Sequence, residues 1–434
     1  MARFDGPSPA LSAVSRQRGL RVSGNSWIEA MERIVVTGLG VVSSIGCTCE
    51  EFEKGLITGK SGMAAATQFD IAGFGEVRAC EVKDFDAAAH VRNTDPETLG
   101  RSSLFSIAAT RMALADSGLS EEALRGRCVS VSIGTTDGES QPLDELARIW
   151  ASNGLDAAPA ALVEKSSAVR LANAVSREFG FCGPSKTIST ACSAGNYAIG
   201  NARDILQSGA ADIAICGGSD SVCRKTYSGF RRLGTIAPER CQPFDLNRMG
   251  ILTGEGAGIL VLETLSSARA RGARIHAELL GYGLSCDADH MVSPNMESVA
   301  RCMCIAHADA AISPSDVDYV CAHGTGTSAN DTVESGAIKR VFEDAVPAVS
   351  SIKSMVGHSM GAASAIASIA CILAIRNGFL PPTINHETPD PGCVEDCVPN
   401  RSRHQPVRIA QNNGFAFGGN NAITIYGAFE AEVD

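Results

Sequence analysis

The sequence predicts an α/β fold made of two similar halves, and three observations carry that expectation. β-Branched runs alternate with helix-spaced apolar positions along the chain. Glycine is abundant, 44 of 434 residues, while aromatics make up only 5%, a mix that suits closely packed strands and helices joined by tight turns. A strand, a sharp turn and a helix rich in Ala, Ser and Gly occur twice, at Ser189-Thr-Ala-Cys-Ser-Ala-Gly195 and at Ser354-Met-Val-Gly-His-Ser-Met-Gly361. Apolar residues at 44% and charged residues at 20% exclude disorder, collagen and coiled coil. The formal charge of −11 argues against wholesale binding of nucleic acid or anionic lipid.

In chain order, Arg33-Ile-Val-Val-Thr-Gly-Leu-Gly-Val-Val-Ser-Ser-Ile-Gly46 reads as a buried strand entering a turn. Leu99 to Ser117 reads as a helix, because Leu104, Ala108, Met112 and Ala115 recur at helical spacing and Gly118 supplies the C-cap. Cys128 to Gly134 and Ala211 to Cys216 read as strands, the second closed by Gly217-Gly218. Further strands are expected at Val317–Ala322, Ala348–Ile352, Arg408–Gln411 and Ala422–Tyr426. The two small-residue helices should stop at Ser208-Gly209 and Asn377-Gly378. Residues 1–30, with Arg, Ser, Gly and Pro and no period, read as a loose tail, a transit peptide being the alternative. The longest uncharged stretch, Ser359 to Ile375, falls below the roughly 18 strongly apolar residues of a membrane span. Sixteen cysteines without a C-x-x-C pair read as small buried hydrophobes in a reducing cytoplasm. Cys393 and Cys397 with His386 and His404 could mimic a metal cluster, an alternative that the spacing rules disfavour.

Cys192 stands out among them. Small residues surround it at the start of an expected helix, as in a nucleophile elbow. Orphan N–H groups and the positive helix end should favour its thiolate and hold an oxyanion. His323 follows a strand and precedes Gly-Thr-Gly-Thr, and His358 stands at the next strand-to-helix turn. α/β proteins place ligands beyond such strand ends. A cysteine with two histidines suits acyl transfer around a thioester carbonyl. Lys353 and Glu334 are expected to pair, since a buried lysine needs a counter-charge.

Together the motifs resemble the β-ketoacyl-[acyl-carrier-protein] synthases, specifically the elongating class with a Cys-His-His site. The matching pieces are Val35-Val-Thr-Gly-Leu-Gly40, Thr190-Ala-Cys-Ser-Ala-Gly195, Pro243-Phe-Asp245, Gly254-Glu-Gly-Ala-Gly258, Asp287-Ala-Asp-His-Met-Val-Ser-Pro294, Ala322-His-Gly-Thr-Gly-Thr327, Ser351-Ile-Lys-Ser-Met-Val-Gly-His358 and Gly414-Phe-Ala-Phe-Gly-Gly419. The resemblance implies a duplicated thiolase-like fold of five layers, with halves at 31–270 (nucleophile) and 271–434 (histidines). It implies that Cys192 takes an acyl chain from an acyl carrier protein, and that His323 and His358 stabilise the enolate of malonyl thioester as carbon dioxide leaves. Lys353, held by Glu334, would orient the site. The N–H groups of Cys192 and Phe415 would form the oxyanion hole, Phe415 would gate the cysteine, and Thr325 and Thr327 would bond the phosphopantetheine arm. No metal or other cofactor is implied. The partner would be a second copy or a ketosynthase-like subunit, and a non-catalytic chain-length-factor-like subunit is the alternative function.

Four features depart from the family pattern: Ala416 for Gly in the gate, Asn420 for Thr, Met249 for an acid, and few basic residues between His90 and Arg101. Docking of an acidic carrier would then fall to Arg224, Lys225, Arg231 and Arg232. Ala322-His-Gly-Thr-Gly-Thr followed by Ser328-Ala-Asn-Asp331 resembles the nodulation-type synthases, which points to a specialised pathway.

Overall fold

β-Branched runs and close-packing glycines produce ten strands of one hydrogen-bonded sheet in the computed structural model, which describes residues 32–430. The tail expected at residues 1–30 lies outside them. The strands are β1 Ile34–Val42, β2 Val129–Gly134, β3 Ser185–Ile188, β4 Ile213–Asp220, β5 Gly256–Thr264, β6 Ala277–Cys286, β7 Tyr319–Cys321, β8 Ala348–Ser350, β9 Ile409–Gly414 and β10 Asn420–Gly427. Seven helices cover them: α1 Arg101–Ser117, α2 Arg170–Phe179, α3 Ala194–Gln207, α4 Arg224–Arg232, α5 Met296–Asp309, α6 Ser328–Phe342 and α7 Ala363–Asn377.

The duplication is explicit in the topology. Outward from the centre the first half runs β1-β5-β4-β2-β3 and the second β6-β10-β9-β7-β8, the same order of chain positions in each. The pairings also match: two antiparallel, then two parallel. The halves join edge to edge through two residue pairs, Val35 with Glu278 and Val36 with Ala277. Helices α1 and α2 cover the first half, α5 and α6 the second, and α3 and α7 lie between, packed on strands of both. That stacking gives the five layers of the thiolase-like fold.

The expected elements are present with shifted ends. Gly217 and Gly218, taken as a turn, lie inside β4 opposite Ile259 and Gly258. The second small-residue helix opens at Ser359 rather than Ser354, because a separate short helix, Lys353–Val356, precedes it. Met360–Asn377 is also longer and more apolar than the sequence reading allowed, with mean hydropathy 1.5 over 18 residues, enough by length and composition for a membrane span. Its place here is the interior: every residue from Ala363 to Ile375 is buried.

Gly40 shows how close the layers lie. A Cβ there would sit 1.9 Å from the carbonyl oxygen of Ala109 in α1. Gly40→Ala should therefore cost about 1–3 kcal/mol through overpacking. The midpoint of urea unfolding reads this, and an unchanged midpoint would contradict the packing described.

Candidate active site

Two elbows define the centre of the molecule. After β3, Ala191 adopts φ 51°, and Ala191–Ser193 form a short 3-10 turn leading into α3. In the other half Met360 adopts φ 50°, and Met360–Ala362 lead into α7 in the same way. A non-glycine residue in this region costs of order 1 kcal/mol, so surrounding structure must hold it. Ser189 Oγ donates to the Thr136 carbonyl at 2.9 Å and Ser193 Oγ to the Thr190 carbonyl at 3.0 Å. The buried Asp220 carboxylate ties both elbows, accepting from Thr135 Oγ1 at 2.5 Å, Thr136 N–H at 2.7 Å and Gly361 N–H at 2.6 Å. Gly361 occupies in the second half the place of Cys192 in the first; a side chain there would strike the Thr135 backbone at 2.5 Å. One elbow thus carries a thiol and its twin only backbone.

Cys192 is buried. Burial pushes its thiol up to about 12, with the Lys353 charge the main opposing influence. Burial thus opposes the thiolate that the helix end was expected to favour.

β7 delivers His323, and the following loop is pinned from α6. Glu334 accepts the N–H of His323 at 2.8 Å and of Gly324 at 2.7 Å. Asp331, one turn earlier, accepts the N–H of Thr325 at 3.0 Å and of Gly326 at 3.2 Å. Burial raises both carboxyls, and these N–H bonds oppose it. The expected Lys353–Glu334 pair is absent among the described ion pairs. Glu334 is occupied by the loop and by Asn413, and its charge reaches Lys353 only through space. Thr325 and Thr327 share a 2.8 Å bond between hydroxyls, and Thr327 also caps α6 by accepting the Asn330 N–H.

His358 is held by its backbone N–H on the Leu252 carbonyl at 2.7 Å. Its Nδ1 accepts the Met360 N–H at 3.1 Å, so the neutral ring carries its proton on Nε2. The rings of His323 and His358 stand 5.5 Å apart, nearly perpendicular. Burial first, and then the Lys353 charge, hold both well below the usual imidazole range. Lys353 is itself buried and lowered by desolvation.

Cys192, His323, His358, Thr325 and Thr327 line one cavity of about 220 Å³. Phe415, expected as the gate, is 3% exposed and packed with Phe244 and Ile423 in the core, 5.7 Å from the His323 ring. A swing would break that packing. Phe417 also lines the cavity, is only half-buried, lies 5.5 Å from the Phe230 ring at a tilt of 31°, and precedes Gly418 and Gly419, both at positive φ. Ala416 is extended, φ −142°, a conformation open to any residue, so alanine there carries no strain in this state. Of the expected docking residues, Arg224 is spent on the Asp70 and Ala72 carbonyls, Arg231 on that of Phe74, and Lys225 pairs with Asp137 at 3.0 Å. Arg232 is exposed beside Leu233, which lines the cavity. Asp220, Asp331, Asn413 and Phe417 were not singled out from sequence. The i, i+3 acids following the His-Gly-Thr-Gly-Thr loop were the available signal for Asp331. No group of three or more His, Cys, Asp or Glu able to hold a metal occurs among the described residues.

A duplicated α/β core with paired inner-helix elbows, one of which brings a cysteine to the cavity of two histidines, is the architecture of the thiolase-like condensing enzymes. Sequence comparison narrows the class: the chain matches the β-ketoacyl synthase N-terminal domain over residues 31–268 and the C-terminal domain over 276–387. The chain belongs to the β-ketoacyl synthase family and is an acyltransferase of that type. It is 36% identical to 3-oxoacyl-[acyl-carrier-protein] synthase 2 of Synechocystis over 92% of this chain and 99% of the relative. It is 37% identical to nodulation protein E of Rhizobium sp. strain N33 over 91% and 98%. Among solved structures, "The ishigamide ketosynthase/chain length factor" superposes with TM-score 0.91 at 49% identity, covering 92% of this chain and all of that one. A type II polyketide ketosynthase in complex with its acyl-carrier protein superposes with TM-score 0.84 at 32% identity, again over 92% of this chain and all of that one.

Because both imidazoles are held low, they should stay neutral as pH falls through about 6.5, where an ordinary histidine gains its proton. Ring ¹⁵N NMR, with signals assigned by His323→Gln and His358→Gln, should show no titration of either between pH 8 and 6. A midpoint near 6.5 for either ring would refute the electrostatic description.

Proposed function

We propose that the chain extends an acyl thioester by two carbons through decarboxylative Claisen condensation with malonyl-[acyl-carrier protein]. The observation that carries this reading is the convergence of Cys192 with two histidines, whose charged forms burial disfavours, on one cavity. Cys192 Sγ bonds to the acyl carbonyl carbon, and the carrier thiol leaves with the proton. The backbone N–H of Cys192 and a second donor from the Phe415–Phe417 segment receive the oxyanion; among the described residues none of these N–H groups is taken by another bond. The malonyl thioester then loses carbon dioxide. The electron pair of the broken C–C bond passes into an enolate whose oxygen is held by His358 Nε2–H and His323. The enolate carbon attacks the acyl carbon, the bond to Cys192 breaks, and the thiolate regains a proton.

Thr325 and Thr327 line the entrance and suit the amides of a phosphopantetheine arm. Phe417, rather than Phe415, serves as the gate. Arg232 is the basic residue best placed for a carrier, since Arg224, Lys225 and Arg231 are engaged within the chain. The exposed outer edge β3, Ser185–Ile188, is suited to pair with a second ketosynthase-like chain. The sixteen unpaired cysteines suit a reducing compartment, the cytoplasm. The similarity to a ketosynthase/chain length factor keeps the non-catalytic subunit as a second reading. The presence of Cys192, His323, His358 and Lys353 together favours the catalytic one.

Two experiments test these assignments. Cys192→Ala should form no acyl adduct by intact mass after incubation with acyl-carrier thioester, while His323→Ala and His358→Ala still acylate but lose malonyl decarboxylation by about 100-fold. An adduct on Cys192→Ala, or decarboxylation at the parent rate in both histidine variants, would overturn the roles given. Phe417→Ala should broaden the range of chain lengths that acylate Cys192, whereas Phe415→Ala should mainly lower thermal stability. Reversed outcomes would return the gate to Phe415.

A further inference from the structure

A buried polar chain reaches the catalytic loop from the outer helix layer. His307 on α5 lies with Nε2 2.7 Å from Gln411 Oε1. Gln411 Nε2 donates to Asn413 Oδ1 at 2.7 Å. Asn413 Nδ2 donates to Glu334 Oε1 at 2.8 Å, and Glu334 accepts the N–H groups of His323 and Gly324. His307, Gln411, Asn413 and Glu334 are all buried.

The direction of each link follows from its end. A carboxylate only accepts, so Asn413 must turn its NH₂ toward Glu334 and its oxygen toward Gln411. Gln411 must then turn its NH₂ to Asn413 and its oxygen to His307, which must donate from Nε2. Burial disfavours the imidazolium, which leaves the neutral Nε2–H ring. His307 Nδ1 has no partner, and the Phe342 ring stands 5.5 Å away, edge to face. An apolar pair of similar size would fill this space with no unpaired nitrogen. Packing alone therefore does not account for the imidazole and the amide.

Strand alternation separates this chain from the nucleophile. On β9, Gln411 and Asn413 face the outer layer, while Asn412 between them points inward to Asn196 of α3 and Ser364 of α7.

We infer that His307, Gln411 and Asn413 are positioning residues for the decarboxylation half of the reaction, holding the Asn413 amide so that Glu334 keeps its grip on the His323–Gly324 backbone. Without the donor from Gln411 the Asn413 oxygen is buried and unpaired, the amide shifts toward another donor, and its bond to Glu334, and with it the loop that carries His323, loosens. The inference rests on the function proposed above, and it assigns the relay to one half-reaction only.

The test compares the parent with His307→Leu/Gln411→Met, which replaces both partners by apolar groups, and with His307→Gln, whose Nε2 can donate to Gln411 as the ring does. Folding is checked by thermal unfolding. Acylation of Cys192 by acyl-carrier thioester and carbon dioxide release from malonyl-carrier thioester are then measured separately. The double variant should acylate at the parent rate but decarboxylate about 10- to 100-fold more slowly in kcat, with KM unchanged. His307→Gln should restore the parent rate. Decarboxylation at the parent rate in the double variant overturns the inference. So does a parallel loss of both half-reactions, or a loss in His307→Gln as deep as in the double variant. A parent that acylates but never decarboxylates refutes the proposed function and the relay together, whereas a decarboxylating parent with a decarboxylating double variant refutes the relay alone. If the double variant does not fold, His307→Leu alone carries the same comparison.

Discussion

Two carboxylates one helical turn apart, Asp331 and Glu334 on α6, hold four consecutive N–H groups from His323 to Gly326. A loop reading His-Gly-Thr-Gly has little side-chain packing to keep it in place and a large backbone entropy to lose. Charge-assisted bonds to its backbone supply the order that packing cannot. Both acids are fully buried, and a buried charge survives only when its lone pairs are satisfied. The arrangement therefore stabilises in both directions: the loop solvates the carboxylates, and the carboxylates fix the loop. Arg248, 3.7 Å from Asp331, adds a counter-charge from the Pro243–Gly250 segment. His323, the threonines and the entrance to the cavity all inherit their positions from this lock.

The duplicated halves then divide the labour unequally. Each opens an inner helix at a left-handed residue, but only the first elbow keeps a side chain facing the cavity. The second contributes a glycine close enough to the Thr135 backbone to seat one elbow against the other, and Met360, whose N–H fixes the His358 tautomer. Asp220 joins the pair by accepting from both sides, and burial pushes its carboxyl up to about 7. The symmetric fold builds the cleft, and the departures from symmetry make it chemical.

Much of this was legible in the sequence, for reasons that also mark where legibility stopped. Cys192 and His323 lie just past strand ends and are followed by small residues, a local pattern that survives folding, whereas His358, read as a strand-to-helix turn, follows the short helix Lys353–Val356. The acids of α6 were visible as residue types, but their folding back onto the preceding loop is a matter of three-dimensional return, so Glu334 was matched to Lys353 instead. Phe415 and Phe417 differ by two positions and both line the cavity, and only burial separates the core-packed ring from the half-exposed one. Arg224 and Arg231 look like a free basic patch until the loop at Asp70–Phe74, about 150 residues earlier, claims their guanidinium groups. The second elbow was placed five residues early because the short helix Lys353–Val356 hides in a run of residues that could equally form a turn.

The shared middle layer has a consequence for synthesis on the ribosome. α3 is complete by Gln207, yet part of its surface is covered by α7 and by β10, which do not exist until Asn377 and Gly427 have been made. At translation rates of about 5–20 residues per second, the first half waits roughly ten to thirty seconds with that face bare even before α7 emerges. α7 itself appears as a stretch apolar enough for a bilayer, with part of its cover (α3 and β5) already made upstream and part (β9 and β10) still to come. Faster elongation through the second half shortens the time for which these faces stand open to other chains.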